Sequence, residues 1–470
     1  MGDWWREDDP KNTVSGYLEA IPVEDDYDWR LHIDGDLGEV AIGYDTGIAL
    51  HGNTSRGSMT LHHALPAGSR SSGQKMTSRW EGFILTRGPH FSRRELFSHV
   101  SFRVPFAIDW IGPSSLNRYV PPLKLPREAG HPGWISGRTA KLSEGVSLTS
   151  AIARTSSLSS RGHREEREWY GTYTLESSGG ITLDDAMEVA YDVAKLHSLA
   201  FDTPMSSFAL SLKPLGDSLW EGLVEVVDPH PPDGHDWSGL SPFFDSSEVD
   251  FELFIRNWIE MRRRLSLLDV ALPLRSDREG TVQVQFLAQC AVLEAFAERY
   301  WDRPGLEPSD ETILSALESQ GIAAKARNTV RTLLERRRWP LKVKLVRAAQ
   351  LMGLESSQRL LGNVDDWAYL VMRLRNALTH GGALPRGLDT NHEYVIDALT
   401  SLQAVLRLAL LKQAGYSNKL GGTEGELYWS GTAPVASHIN SSFFKKLEWI
   451  SSRSPQWGLW RAQIDDAGNQ

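Results

Sequence analysis

The sequence predicts an α+β multidomain protein. A β-rich N-terminal domain spans residues 1–240, an all-α helical bundle follows over 241–416, and an irregular extension occupies 417–470. Three observations predict this. At 470 residues the chain exceeds one ordinary domain. Between residue 12 and about 175, short β-like runs alternate with turn residues. From Ser246 onward, apolar residues return every three or four positions, the period of an amphipathic helix.

Taken in order, the strand candidates are Gly16–Val23, Trp29–Ile33, Trp80–Thr86, Ser98–Val104, Val146–Ile152 and Glu168–Leu175. Their spacing suits a sandwich or barrel-like unit with long loops. Ser69–Gln74 and Ser156–His163 have loop composition. Thr182, followed by Asp184 and Asp185, reads as an N-cap for a helix from Ala186 to His197. Phe208–Leu212 and Leu223–Val227 give two more strands, and Asp228–Asp236 reads as a linker. Helices are then expected at Phe251–Leu268, Thr281–Trp301, 309–320, 325–337, 341–352, 365–380 and 391–414. Residues 417–470, rich in Gly and Ser with scattered Trp, read as irregular, and no repeats occur.

Composition narrows the class. With 41% hydrophobic and 23% charged residues the chain reads as soluble and globular. The lone Cys290 excludes an intramolecular disulfide and reads as a core thiol. The acidic N-terminus has no apolar run, and no stretch of 18 uncharged apolar residues occurs, so a cytoplasmic protein without a membrane span is expected. A net charge of −10 argues against indiscriminate coating of nucleic acid, but leaves room for a local basic site. The seventeen tryptophans are expected chiefly in cores.

One segment carries chemistry. Along Asp365–His380, Trp367, Leu370, Val371, Leu374 and Leu378 share one helical stripe that suits a core. Asn376 and His380 stack on the opposite face with Arg373, and Arg375 sits at the edge between the faces. Gly381 and Gly382 read as the C-cap. An imidazole, a guanidinium and a carboxamide at one helix end suit a phosphodiester substrate.

Arg375-Asn376-Ala377-Leu378-Thr379-His380 resembles the R-x4-6-H signature of HEPN-superfamily ribonucleases. The helix around Phe286–Glu294 before it, and the helical pattern from His392 to Leu411 after it, resemble the order of an ApeA-type HEPN domain in bacterial anti-phage proteins. Met59–His63 and Ser101–Trp110 resemble that family's β-rich N-terminal region, so the likeness spans roughly residues 12–415. The resemblance implies a metal-independent RNA endonuclease acting in abortive infection, with Arg375, Asn376 and His380 as catalytic residues. It also implies a homodimer through the HEPN-like domain, activation by a phage-derived trigger, and a 2′,3′-cyclic phosphate product. Glu294 lies where the family commonly has an acidic residue facing the motif helix. There it orients Arg375 or His380, or simply pairs with Arg375.

The chemistry fits the residue types. A histidine can take the 2′-hydroxyl proton because it titrates near neutral pH. An arginine stays charged and can contact two phosphate oxygens at once. At a helix C-terminus His380 would feel the negative end of the macrodipole, which favours the imidazolium. RNA is the expected partner, and the exposed anticodon loop makes transfer RNA a candidate substrate. No cofactor is expected: the sequence has no phosphate-binding glycine loop, no H-E-x-x-H and no G-x-S-x-G. His62 and His63 lack partners at metal spacing and read as structural. Arg327, Arg331, Arg336, Arg337, Arg338, Lys342 and Lys344, opposed in sequence by Glu335, either grip the RNA backbone or form a solvated helix face. Two other readings remain: a catalytically silent HEPN-like adaptor for nucleotide or protein, and a β-domain carbohydrate or peptide binder fused to an oligomerisation module.

Overall fold

The computed structural model describes residues 1–21, 29–38, 47–72, 75–92, 94–111, 134–158, 165–206, 208–216, 224–227, 242–246, 249–265, 268–271, 281–301, 308–335, 339–379, 393–416 and 442–468. Six strands build a closed antiparallel barrel: β1 (Gly2–Arg6), β2 (Asp9–Ala20), β3 (Trp29–Ile33), β4 (Ile48–Thr54), β5 (Gly57–Ser72) and β6 (Lys75–Gly82). The pairing runs β1-β2-β3-β6-β5-β4 and returns to β1, so this sheet leaves no edge. Along β3, Trp29, Leu31 and Ile33 are buried while Arg30 and His32 are part-exposed, the two-residue period of a half-buried strand. Trp4, Leu50, Leu61 and Trp80 join them in the barrel core.

β5 carries the barrel into the rest of one continuous 13-stranded sheet. Its first half pairs with β4 and with β7 (Ile84–Arg87), and its second half pairs with β6. The change of partner falls next to His63, whose φ of 54° lies in the left-handed region. Gly47 permits that bend, because a Cβ there would lie 2.4 Å from the His63 carbonyl carbon. From β7 an open antiparallel sheet continues through β13 (Val224–Val227), β12 (Phe208–Pro214), β8 (Phe97–Arg103), β11 (Glu165–Ile181), β10 (Val146–Leu158) and β9 (Trp134–Ser143). The helices α1 (Ala107–Ile111) and α2 (Leu183–Phe201) pack on it, and α3 (Phe251–Arg264) covers the β9 edge. Thr182 caps α2 by accepting from the Asp185 N–H at 3.2 Å, as its spacing predicts.

The helical half comprises α4 (Leu268–Ala271), α5 (Val282–Tyr300), α6 (Pro308–Ser319), α7 (Ala324–Glu335), α8 (Leu341–Gln350), α9 (Leu354–Leu361), α10 (Val364–Thr379), α11 (Glu393–Ala414), α12 (Ser442–Arg453) and α13 (Gln456–Gly468). Helix α11 is apolar and long enough to cross a membrane, yet 83% of that stretch is buried in protein, which makes it the central core helix. One apolar core runs from Phe91 through α2, α3, α5, α10 and α11 to Trp457. The expected linker at Asp228–Asp236 lies outside the described residues. On the described side of it, the sheet and the helices share that core.

The barrel meets this core through polar groups. On its outer wall His62 pairs with Thr86 at 3.1 Å, and the Thr60 hydroxyl lies 3.2 Å from both His51 and His90. His63 reaches Asp184 of α2 at 2.8 Å. Both members of the His62-His63 pair are therefore engaged in joining modules.

Three expectations need correction. Of the expected loop Ser156–His163, Ser156–Leu158 is strand, the end of β10 paired with Glu165–Arg167 of β11, and the rest lies outside the described residues. Ser69–Ser72 is strand, pairing with Lys75–Ser78 in a tight hairpin, because β5 is long enough to carry its serines into the ladder. The extension over 417–470 is not irregular throughout, since α12 and α13 occupy 442–468. Leu447, Ile450 and Trp457 are buried in the main core, which supplies the apolar face that makes these helices stable.

Candidate active site on the motif helix

Helix α10 forms because Asn363 caps it, accepting from the N–H groups of Asp365 at 3.0 Å and Asp366 at 3.3 Å. Its apolar stripe lies where the periodicity puts it: Trp367, Leu370, Val371 and Leu374 are fully buried and Leu378 packs at the core margin. The Trp367 indole donates to the Ser401 hydroxyl of α11 at 2.8 Å, which fixes the rotation of the helix. That rotation leaves Arg373 and Asn376 exposed and Arg375 part-buried.

Arg375 is held by the helix in front of it. Its Nη2 donates to Glu294 Oε1 of α5 at 3.2 Å, with 30% of the arginine side chain and 33% of the glutamate side chain still exposed. Its Nη1 lies 3.4 Å from Asn376 Oδ1, so guanidinium and carboxamide sit side by side. Thr379 closes the last turn by donating to the Arg375 carbonyl at 2.7 Å. His380, with Gly381 and Gly382, lies outside the described residues, directly after the end of α10.

Beneath the ion pair lies Cys290, one turn before Glu294 on α5. Burial, with the Glu294 carboxylate adding to it and Arg375 opposing, pushes its thiol up to about 12. The thiol is thus a neutral wall of the site. The sequence identified Cys290 as a core thiol but gave no sign of its place behind Arg375.

Among the described residues, most of the basic run after α6 is engaged. Arg327 pairs with Glu318, Lys342 with Asp365 at 2.7 Å, and Lys344 with Glu298 at 2.8 Å. Arg347 stacks 4.2 Å over Trp339. The acidic partners lie on other helices, α5, α6 and α10, outside the run itself, which is why Glu335 alone is visible within it. Lys325 and Arg331 stay exposed, and Arg336, Arg337 and Arg338 lie outside the described residues.

Residues 1–258 match the family model for ApeA N-terminal domain 1, and residues 287–420 match the ApeA-like HEPN domain. The chain belongs to the ApeA family. It is accordingly an anti-phage protein with a C-terminal HEPN domain, and the motif helix and Glu294 both fall inside the HEPN match. The ApeA N-terminal match runs into α3, beyond the boundary expected near residue 240, and the HEPN match stops before α12. No curated protein and no solved structure matches the chain.

Proposed function

We propose that this ApeA-family protein is a metal-independent RNA endonuclease acting in abortive infection, and that Arg375, Asn376 and His380 carry the reaction. The observation that supports this best is Arg375 itself. A guanidinium at a helix end, held by one carboxylate and still part-exposed beside an exposed carboxamide, is poised for an incoming anion.

In the proposed reaction His380 removes the proton from a ribose 2′-hydroxyl, and that oxygen attacks the adjacent phosphorus. Arg375 neutralises the charge that builds on the non-bridging oxygens, with Asn376 donating to one of them. The bond to the 5′-oxygen breaks, leaving a 2′,3′-cyclic phosphate on one fragment and a 5′-hydroxyl on the other. The leaving oxygen takes a proton from a second histidine, supplied by His380 of another copy in a homodimer. Glu294 keeps the guanidinium pointed at the cleft. Transfer RNA is the proposed substrate, its anticodon loop offering the flexible single strand that in-line attack requires.

The test uses purified protein and total bacterial RNA in the presence of EDTA, with mapping of the new ends. Cyclic phosphate ends from wild type, and none from His380→Ala, are the expected result. A silent adaptor would instead leave the RNA intact in both while still restricting phage.

A further inference from the structure

The C-terminal helices lie beyond the HEPN match, yet they grip the motif helix. Arg461 of α13 donates to Asp366 at 2.6 Å and to Asp365 at 3.0 Å, the two acidic residues of the first turn of α10. Its guanidinium lies 4.9 Å over the ring of Tyr369, one turn further along the same helix. Trp457 is buried, and its neighbour Trp460 packs edge-on against Tyr394 at the start of α11 at 5.9 Å. One short helix thus touches the beginnings of both α10 and α11.

The other helix of the pair is anchored elsewhere. Lys446 of α12 pairs with Asp202, the left-handed residue that ends α2. The same carboxylate receives Arg407 of α11 at 2.7 Å, both side chains being nearly fully buried. Arg453, at the end of α12, faces Asp397 of α11 at 3.7 Å, and Ser451 donates to the Arg359 carbonyl of α9 at 2.8 Å. The pair therefore runs from the end of α2, inside the ApeA N-terminal match, to the start of the motif helix.

We infer that α12–α13 is a strap that sets the position of the motif helix, and that Arg461 is its positioning residue. An α-helix is stiff along its axis, so a clamp on its first turn fixes the direction of a group about 15 Å further on. Arg461 touches no reacting atom. It acts by fixing where Arg375 and Asn376 point relative to Glu294. The strap also gives the N-terminal module a mechanical route to that helix through Asp202. This inference rests on the proposed nuclease site.

The experiment compares full-length wild type, Arg461→Lys, Arg461→Glu, the charge swap Arg461→Glu with Asp366→Arg, and Arg375→Ala. Three quantities are read: the thermal midpoint, binding of fluorescently labelled total RNA, and the initial cleavage rate at saturating total RNA. Arg461→Glu should cut about tenfold more slowly while binding RNA within about twofold of wild type, since misplacement by a fraction of an ångström affects the rate more than the grip. Arg461→Lys should lose less, and the swap should recover to within about threefold of wild type because the bridge is rebuilt with reversed charges. Wild-type cleavage by Arg461→Glu, alongside an inactive Arg375→Ala, overturns the strap and leaves the site intact. A folded swap variant that stays as slow as Arg461→Glu also overturns it. Full activity in Arg375→Ala overturns the site, and the strap with it.

Discussion

At the start of α10, Asp365 and Asp366 meet Lys342 and Arg461 at 2.6–3.0 Å and are capped by Asn363, whereas at the far end Arg375 has one carboxylate partner at 3.2 Å and Asn376 faces solvent. The first end spends its charges on other parts of the same chain. The second keeps a guanidinium and a carboxamide in reach of a ligand. Ion pairs still open to solvent contribute little stability, so the first end matters chiefly as a network that fixes geometry. Between the two, Trp367, Leu370, Val371 and Leu374 lock the helix into the core. The comparison teaches that rigidity in the first half of this helix is what makes an exposed, lightly held second half usable.

Breaking the locked half should have the largest effect. Trp367→Ala removes a fully buried indole and its hydrogen bond to Ser401. A loss of about 3–5 kcal/mol is expected, read by denaturant unfolding. A loss below about 1 kcal/mol would mean that the helix is anchored elsewhere.

Breaking the open half should spare the fold and stop the chemistry. Arg375→Ala is expected to lower the cleavage rate on total RNA by about a hundredfold or more, the scale of removing one charge-stabilising group. Its unfolding free energy should stay within about 0.5 kcal/mol of wild type, because the side chain is part-exposed and off the apolar stripe. Equal losses of stability and activity would place Arg375 in the fold rather than in the reaction.

The two halves also differ in how far the sequence reveals them. The stripe from Trp367 to Leu378 and the polar face with Arg373 and Asn376 are legible because helical periodicity is a local property. So is β3, whose alternation at Trp29, Leu31 and Ile33 is equally local, whereas β1 and β4 fall outside the strand candidates. The bracing partners are not. Lys342, Arg461 and Glu298 reach their partners through tertiary packing, and no spacing rule connects Arg461 with Asp365 across 96 positions. The helices α12 and α13 stayed hidden for a related reason. Phe443, Phe444, Leu447 and Ile450 have helical spacing, but the Gly- and Ser-rich stretch before them lowers the local signal. The spacing left sandwich and barrel both open; the choice depends on β5 changing partners beside His63.

Loosening the carboxylate contact that holds the open end should have an intermediate effect. Glu294→Gln keeps an acceptor for Arg375 but removes the charge. A fall in cleavage of about tenfold is expected, corresponding to roughly 1.4 kcal/mol. RNA binding should hold or improve, because a negative charge has left the cleft. Wild-type cleavage by Glu294→Gln would mean that the carboxylate does not set the pose of Arg375.

The smallest effect should come from titrating the braced end. Hydrogen bonding to Lys342, which outweighs burial and is joined by Arg461, holds the Asp365 carboxyl below its ordinary value of 3.8. A carboxyl whose folded pKa is depressed stabilises the fold above its unfolded pKa and loses that contribution as pH falls through the folded one. The window therefore lies below about pH 4. With 53% of the side chain exposed, solvent screening reduces the contribution to a few tenths of a kcal/mol. Unfolding wild type and Asp365→Asn in urea at pH 7 and at pH 3 isolates it. The two should differ slightly at pH 7, and the gap should shrink as the pH falls below about 4, since protonation makes the carboxyl resemble the amide. Raising the salt at pH 7 should also close the gap, since the pair is exposed. A gap that widens toward pH 3 would reverse the sign. It would mean that the protonated carboxyl is the form this helix start prefers, against the bracing assigned to Lys342 and Arg461.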